Sequence, residues 1–173
     1  MSICIRNVSV INEGVTRLAD VWIEGEFISA ILEPGAHAGV ADREIDGEGK
    51  YLLPGLIDDQ VHFREPGLIH KGDLYTEPKA AIAGGVTSFM EMPNTVPSAV
   101  TLELLEEKYE RAAQVSLANF SFYMGTTNTN LNELLRVDPR TICGVKIFMG
   151  SSTGDMLVDD PIALENIFSQ VKT

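Results

Sequence analysis

Three short stretches hold the side chains best able to do chemistry. The first is Leu53-Pro54-Gly55-Leu56-Ile57-Asp58-Asp59-Gln60-Val61-His62-Phe63-Arg64-Glu65-Pro66-Gly67. In a strand, successive side chains point to opposite faces, so Gln60, His62 and Arg64 share one face while Val61 and Phe63 take the other. An imidazole there can ligate a divalent metal, and a guanidinium one step further along can grip a carboxylate through two parallel hydrogen bonds. A lone strand histidine is more often a satisfied core or surface residue. Burying Gln, His and Arg together without partners would be costly, which weakens that plain reading.

The second stretch is Cys143-Gly144-Val145-Lys146-Ile147-Phe148-Met149, one lysine in an otherwise apolar strand. The plain reading is an ammonium that snorkels to water at the strand end. The functional reading is that burial favours the neutral amine. That amine could act as a Schiff-base nucleophile, or add carbon dioxide and become a carbamate whose two oxygens bridge metal ions. The third stretch is Met90-Glu91-Met92-Pro93-Asn94-Thr95, where the Asn94 amide can donate to a ligand oxygen or serve only as a turn residue. Glu91 is out of place in so apolar a strand, and the sequence assigns it no role. Gly150-Ser151-Ser152-Thr153-Gly154 lacks the Lys-Ser/Thr ending of a phosphate loop and reads as a polar loop. Cys4 and Cys143 have no second cysteine at metal-binding spacing, and His37 and His70 read as solvated loop residues.

The elements that must position these groups change character near Pro54. Before it, Ile3–Ile11, Val21–Glu24, Phe27–Leu32 and Lys50–Leu53 read as short strands, with Gly25-Glu26 as a two-residue hairpin turn. That is a small sheet or half a sandwich, thin for an independent core. After Pro54, strands are expected over Leu56–Phe63, Val86–Met92, Leu117–Met124 and Ile142–Met149. They alternate with helices over Leu74–Ile82, Leu102–Val115 (capped by Thr101), Leu131–Arg136 and a last one from Pro161. Leu102, Leu105, Tyr109 and Ala112 share one face of the second helix, with Glu107 and Arg111 spaced to pair. Such βα alternation implies parallel strands with crossovers, and an α/β barrel needs eight units and ~250 residues. The expectation is therefore residues 1–54 as part of a β-sandwich and 55–173 as the first four units of a longer barrel. The chemistry would sit at the C-terminal ends of its strands.

Composition narrows the partners. Thirteen Lys and Arg against 25 Asp and Glu leave a net charge of −12, which repels phosphate backbones and anionic lipid. A 45% hydrophobic and 22% charged chain is ordinary for a folded protein. Two distant cysteines suit a reducing compartment. The N-terminus has no secretory pattern, and no apolar run reaches the ~20 residues of a membrane span. A cytoplasmic protein without nucleic-acid or membrane partners is expected. A homo-oligomer is compatible with an unpaired edge on the fourth barrel strand.

In this order, at the ends of strands one, two and four, the three stretches resemble the amidohydrolase superfamily and, within it, the dihydroorotases of the larger, bacterial type. The Pro54-Gly55-Leu56-Ile57-Asp58 lead-in is similar to the superfamily at large. Arg64-Glu65-Pro66-Gly67 and Met92-Pro93-Asn94-Thr95 resemble dihydroorotases more than hydantoinases. The resemblance covers essentially the whole chain and implies an α/β fold, the first half of an amidohydrolase-type (β/α)8 TIM barrel behind part of a small β-sandwich. It implies one or two zinc ions, whose bound hydroxide opens the ring amide of dihydroorotate to N-carbamoyl-L-aspartate in pyrimidine biosynthesis. By residue, it implies that His62 is a metal ligand, Lys146 a carboxylated bridging ligand, and Arg64 and Asn94 the clamp on the substrate carboxylate. Gln60 stands where the pattern has a second histidine, and its neutral amide is a weaker zinc ligand. The later histidines and the general-base aspartate of the pattern are missing, so this chain alone is expected to be inactive. An allantoinase-like cyclic amidase and a non-catalytic scaffold are the alternatives.

Overall fold

Two hairpins open the chain. β1 (Ser2–Asn12) turns through Glu13 and Gly14, at φ 49° and 75°, into β2 (Val15–Glu24). Gly25, at φ 62°, then turns β2 into β3 (Phe27–Leu32), the left-handed position at which glycine costs least. β4 (Arg43–Asp46) and β5 (Tyr51–Leu52) come back parallel to β1 and complete a five-stranded sheet in the order β3-β2-β1-β4, with β5 also on β1. Val8, Val10, Ala19 and Val21 form its core. The computed structural model describes residues 1–36, 39–151 and 154–171. His37, and Ser152 and Thr153 of the polar loop, lie outside the described residues. The described chain divides into two units, Met1–Pro54 and Gly55–Thr173.

One buried carboxylate organises the first unit. The register of β1 against β2 slips between Ile5 and Val8, which leaves Asn7 at φ 52°. The Asn7 N–H donates to Asp20 Oδ1 at 2.8 Å. Oδ2 accepts from the Gly35 N–H at 3.1 Å and from Arg6 Nη1 at 3.2 Å. Burial alone would raise the Asp20 carboxyl; the Asn7, Gly35 and Arg6 donors outweigh it and hold the group below the usual carboxylate range.

The second unit alternates strand and helix: β6 (Leu56–Val61), α1 (Thr76–Ala83), β7 (Val86–Glu91), α2 (Leu102–Val115), β8 (Asn119–Gly125), α3 (Leu131–Arg136), β9 (Gly144–Lys146) and α4 (Pro161–Gln170). The strands run parallel in the order β6-β7-β8-β9. Phe89, Phe122 and Met124 pack with Leu105 and Ala112 of α2, Leu134 of α3 and Ile167 of α4. Thr101 caps α2, its hydroxyl accepting from the Leu104 N–H, and Asp160 caps α4 by accepting from Ile162.

Several boundaries differ from the sequence expectation for identifiable reasons. β6 stops at Val61, whose carbonyl accepts from the Met92 N–H at 3.0 Å, and the chain then turns away. α1 starts at Thr76 because Asp73 Oδ1 takes the Tyr75 and Thr76 N–H groups, while the Leu74 N–H is held by Glu65. β9 keeps only three residues, since β8 offers it partners only over Tyr123–Gly125. Phe148 instead bridges Leu157. The two cysteines are free; Cys4 is fully buried in β1 and Cys143 half-buried before β9, and burial pushes both thiols up. Among the described residues, no helix is long and apolar enough to cross a membrane.

Replacing Asp20 with Ala strips three donors of their acceptor, and urea unfolding of the first unit should show a loss of about 3 kcal/mol. Because the folded-state pKa is depressed, this contribution is intact above the unfolded value of about 3.9 and fades as pH falls toward the lower folded value. A variant as stable as the parent at pH 7 would remove Asp20 from this role.

Candidate functional site

Past the ends of β6 and β7, two loops run side by side, tied at several points. The deepest tie is an ion pair. Glu91, the last residue of β7, is 0% exposed, and its Oε2 lies 2.8 Å from Nζ of Lys108, which is 2% exposed on α2. Nζ also sits 3.4 Å from the Met92 carbonyl and 4.7 Å from the centroid of the Phe122 ring. Burial pushes the Glu91 carboxyl up and the Lys108 ammonium down, and each is opposed by the other's charge. Glu91 Oε1 accepts from the Arg64 N–H at 3.1 Å, across a turn in which Arg64 adopts φ 72°.

The next ties come from the Arg64-Glu65-Pro66-Gly67 segment. Glu65 Oε1 accepts from Arg111 Nε at 2.6 Å and Oε2 from the Leu74 N–H at 2.8 Å. This carboxylate thus links the loop to α2 and to the start of α1. Glu107 and Arg111 are spaced to pair along their own helix; Arg111 reaches Glu65 instead, a carboxylate only 12% exposed that the solvated Glu107 does not match. The Pro66 carbonyl accepts from the Val96 N–H at 3.1 Å, bringing the two loops into register. Gly67 is at φ 82°, and a Cβ there would collide with the Val96 carbonyl oxygen, so only glycine fits.

These ties set the positions of the candidate residues. His62 is exposed, and its Nδ1 lies 2.9 Å from Asn94 Oδ1. An amide oxygen accepts, so Nδ1 carries the proton and Nε2 keeps its lone pair. Partial burial holds the imidazole below its ordinary pKa, and the Arg64 and Lys146 charges push the same way against the Asn94 bond. Arg64 is half-buried; it follows the strand instead of continuing its alternation. Lys146 is also half-buried, with Nζ 5.0 Å from the Phe148 ring centroid. Its carbonyl accepts from the N–H and the hydroxyl of the fully buried Thr126, at 3.1 and 3.0 Å. Gln60 is exposed in an irregular part of β6, where pairing with β7 shifts between Asp58 and Val61. The hydroxyl of Tyr123 on β8 donates to the Asp59 carbonyl at 3.0 Å and so holds that irregularity.

Sequence reasoning missed Lys108, Thr126, Tyr123 and the use of Glu91. A signal for the ion pair existed. Lys108 stands three residues after Leu105 and four before Ala112, on the buried stripe of its helix, just as Glu91 stands in an apolar strand.

The donor chemistry falls short of a zinc site. Among the described residues, no three His, Cys, Asp or Glu side chains are grouped to hold a metal ion. At most, His62 would supply one good donor, Lys146 a second only as a carbamate, and Gln60 a weak third, against the three or four protein ligands zinc requires. Two cavities of about 340 and 600 Å³ open beside the β7–α2 and β8–α3 loops, lined by Thr95, Val100, Thr127 and neighbours. None of His62, Arg64, Asn94 or Lys146 lines them, so they are separate from the gathered polar groups.

Comparison with known proteins matches residues 49–138 to the dihydro-orotase-like family. A dihydroorotase of Methanosarcina acetivorans is 34% identical over 170 residues, covering 97% of this chain and 36% of that protein. An allantoinase of Deinococcus radiodurans is 33% identical over 153 residues, covering 88% and 34%. The chain thus spans about a third of the length of the curated relatives it matches. Among solved structures, the L-hydantoinase (dihydropyrimidinase) of Arthrobacter aurescens superposes with a TM-score of 0.86 at 29% identity, over 96% of this chain and 37% of that one. The fold class is therefore the α/β one read from the sequence, the start of an amidohydrolase-type barrel preceded by part of a small β-sandwich.

If the polar groups meet as described, an NMR titration of His62 should show a midpoint below the ordinary 6.5, with the ring neutral at pH 7. Arg64→Gln should raise that midpoint by removing a nearby positive charge, and Asn94→Ala should lower it further. A midpoint indifferent to both substitutions would mean that the groups do not act on one another.

Proposed function

The chain belongs to the dihydro-orotase-like family, and from that membership we propose that it carries the anion clamp and the first metal ligands of a dihydroorotase. The observation that carries the proposal is the His62–Asn94 hydrogen bond, formed beside two cationic side chains that both act on the imidazole. Dihydroorotate and N-carbamoyl-L-aspartate are anions, and a protein with a net charge of −12 needs local cations to hold them. Arg64 would take the substrate carboxylate through its fork of N–H donors, with the Asn94 amide donating beside it. His62 would present Nε2 to a cation, its ring oriented by Asn94, and Lys146, once carboxylated, would offer two oxygens. Divalent ions such as zinc supply activation of water and polarisation of the amide carbonyl. These side chains do not complete a zinc site, so the bond-breaking step is not assigned to them alone.

The allantoinase relative matches almost as well as the dihydroorotase one. What favours dihydroorotate is Arg64, because allantoin has no carboxylate for it to bind. The two free cysteines, Cys4 and Cys143, fit a cytoplasmic reaction.

Calorimetric titration of the 173-residue chain tests this reading. Dihydroorotate and N-carbamoyl-L-aspartate should bind and allantoin should not, while Arg64→Gln should weaken the anions roughly tenfold or more. Turnover of dihydroorotate by the chain alone, with zinc supplied, should stay at background. Preferential binding of allantoin would favour a sister amidase, and failure of all three ligands to bind would favour a non-catalytic scaffold.

A further inference from the structure

Glu91 and Lys108 are the charged side chains sealed in the second unit among the described residues, and stability alone does not account for them. Removing two charges from water costs about as much as their attraction returns, and apolar pairs of the same volume often do as well or better. An apolar pair could not hold two particular backbone groups. Glu91 Oε1 accepts from the N–H of Arg64, and Lys108 Nζ lies 3.4 Å from the carbonyl of Met92, two residues before Asn94. The same ion pair therefore grips the main chain at one arm of the candidate clamp and just behind the other. Arg64 needs such a hold. It carries a long side chain at φ 72°, where a non-glycine residue is strained unless its surroundings fix it. The Leu68 N–H also ties the Arg64 carbonyl, at 3.1 Å, and further ties act at Glu65 and Pro66, but the Arg64 N–H is held by Glu91.

We propose that Glu91 and Lys108 are positioning residues that set the spacing of Arg64 and Asn94, and through it the affinity for a carboxylate on a cyclic-amide substrate or its ring-opened product. The proposal rests on the dihydroorotase reading for its ligand, but not for its geometry.

Two double variants of the full chain separate positioning from stability. E91Q/K108M removes both charges but keeps an oxygen able to accept from Arg64. E91L/K108M keeps similar volume and offers no acceptor. Both should unfold in urea close to the parent midpoint. Hydrogen exchange at the Arg64 amide should stay slow in E91Q/K108M and speed up at least tenfold in E91L/K108M. Binding of N-carbamoyl-L-aspartate should weaken about threefold in the first variant, which loses only the Lys108 hold on the Met92 carbonyl, and about tenfold or more in the second, which loses the Glu91–Arg64 hydrogen bond as well. Parent-like binding by a folded E91L/K108M would overturn the proposal. If E91L/K108M does not fold, Glu91→Asp keeps the charge but draws the oxygen back from Arg64, and it must show the same loss; parent-like binding would again overturn it. If the parent itself binds neither dihydroorotate nor N-carbamoyl-L-aspartate, the ligand reading fails. The positioning role then stands or falls on the Arg64 amide, which must lose protection in E91L/K108M.

Discussion

A charge sealed among aromatic rings must be answered on every side, and the second unit is built around that requirement. The Glu91 carboxylate meets the Lys108 ammonium and the Arg64 N–H, and the ammonium meets the Met92 carbonyl and the face of Phe122. Satisfying the pair brings α2 against the end of β7, and the end of β7 against the loop that leaves β6. A partly answered pair in a low-dielectric interior would be worse than none, so the neighbouring backbone has little freedom to drift.

The shallower ties extend the same order outward. Glu65 joins the loop to α2 through Arg111 and to the start of α1 through Leu74, while Pro66 and Val96 hold the two loops together. On the far edge of the sheet, Thr126 fixes the Lys146 carbonyl from the end of β8. The exposed His62 and the half-buried Arg64, Asn94 and Lys146 are therefore carried by backbone anchored from behind. Short polar loops on a rigid sheet can present a precise constellation in this way.

Local signals in the sequence are legible where local forces decide. The Thr101 cap and the apolar stripe gave α2 with its observed bounds, Leu131–Arg136 gave α3, and Gly25 gave the β2–β3 turn. Departures cluster where distant partners decide. The end of β6 depends on Met92, the start of α1 on Glu65 and the shortness of β9 on β8. β4 was not anticipated because Arg43–Asp46 has little apolar alternation and becomes a strand by pairing with β1. For the candidate site, residue types and spacing singled out His62, Arg64, Asn94 and Lys146. The side chains that brace them were invisible because Glu91 and Lys108 explain each other only once folding brings them together.

The two shielded thiols have a practical consequence. Cys4 lies wholly inside the first unit and Cys143 is half-covered in the second, and both resist ionisation. A thiolate-seeking reagent reaches Cys4 only when the surrounding structure opens, and reacts slowly with the part-covered Cys143 until its cover does. Each half of the polypeptide thus has a chemical clock of its own, and alkylation rates read by mass spectrometry could time the two openings separately without an added label.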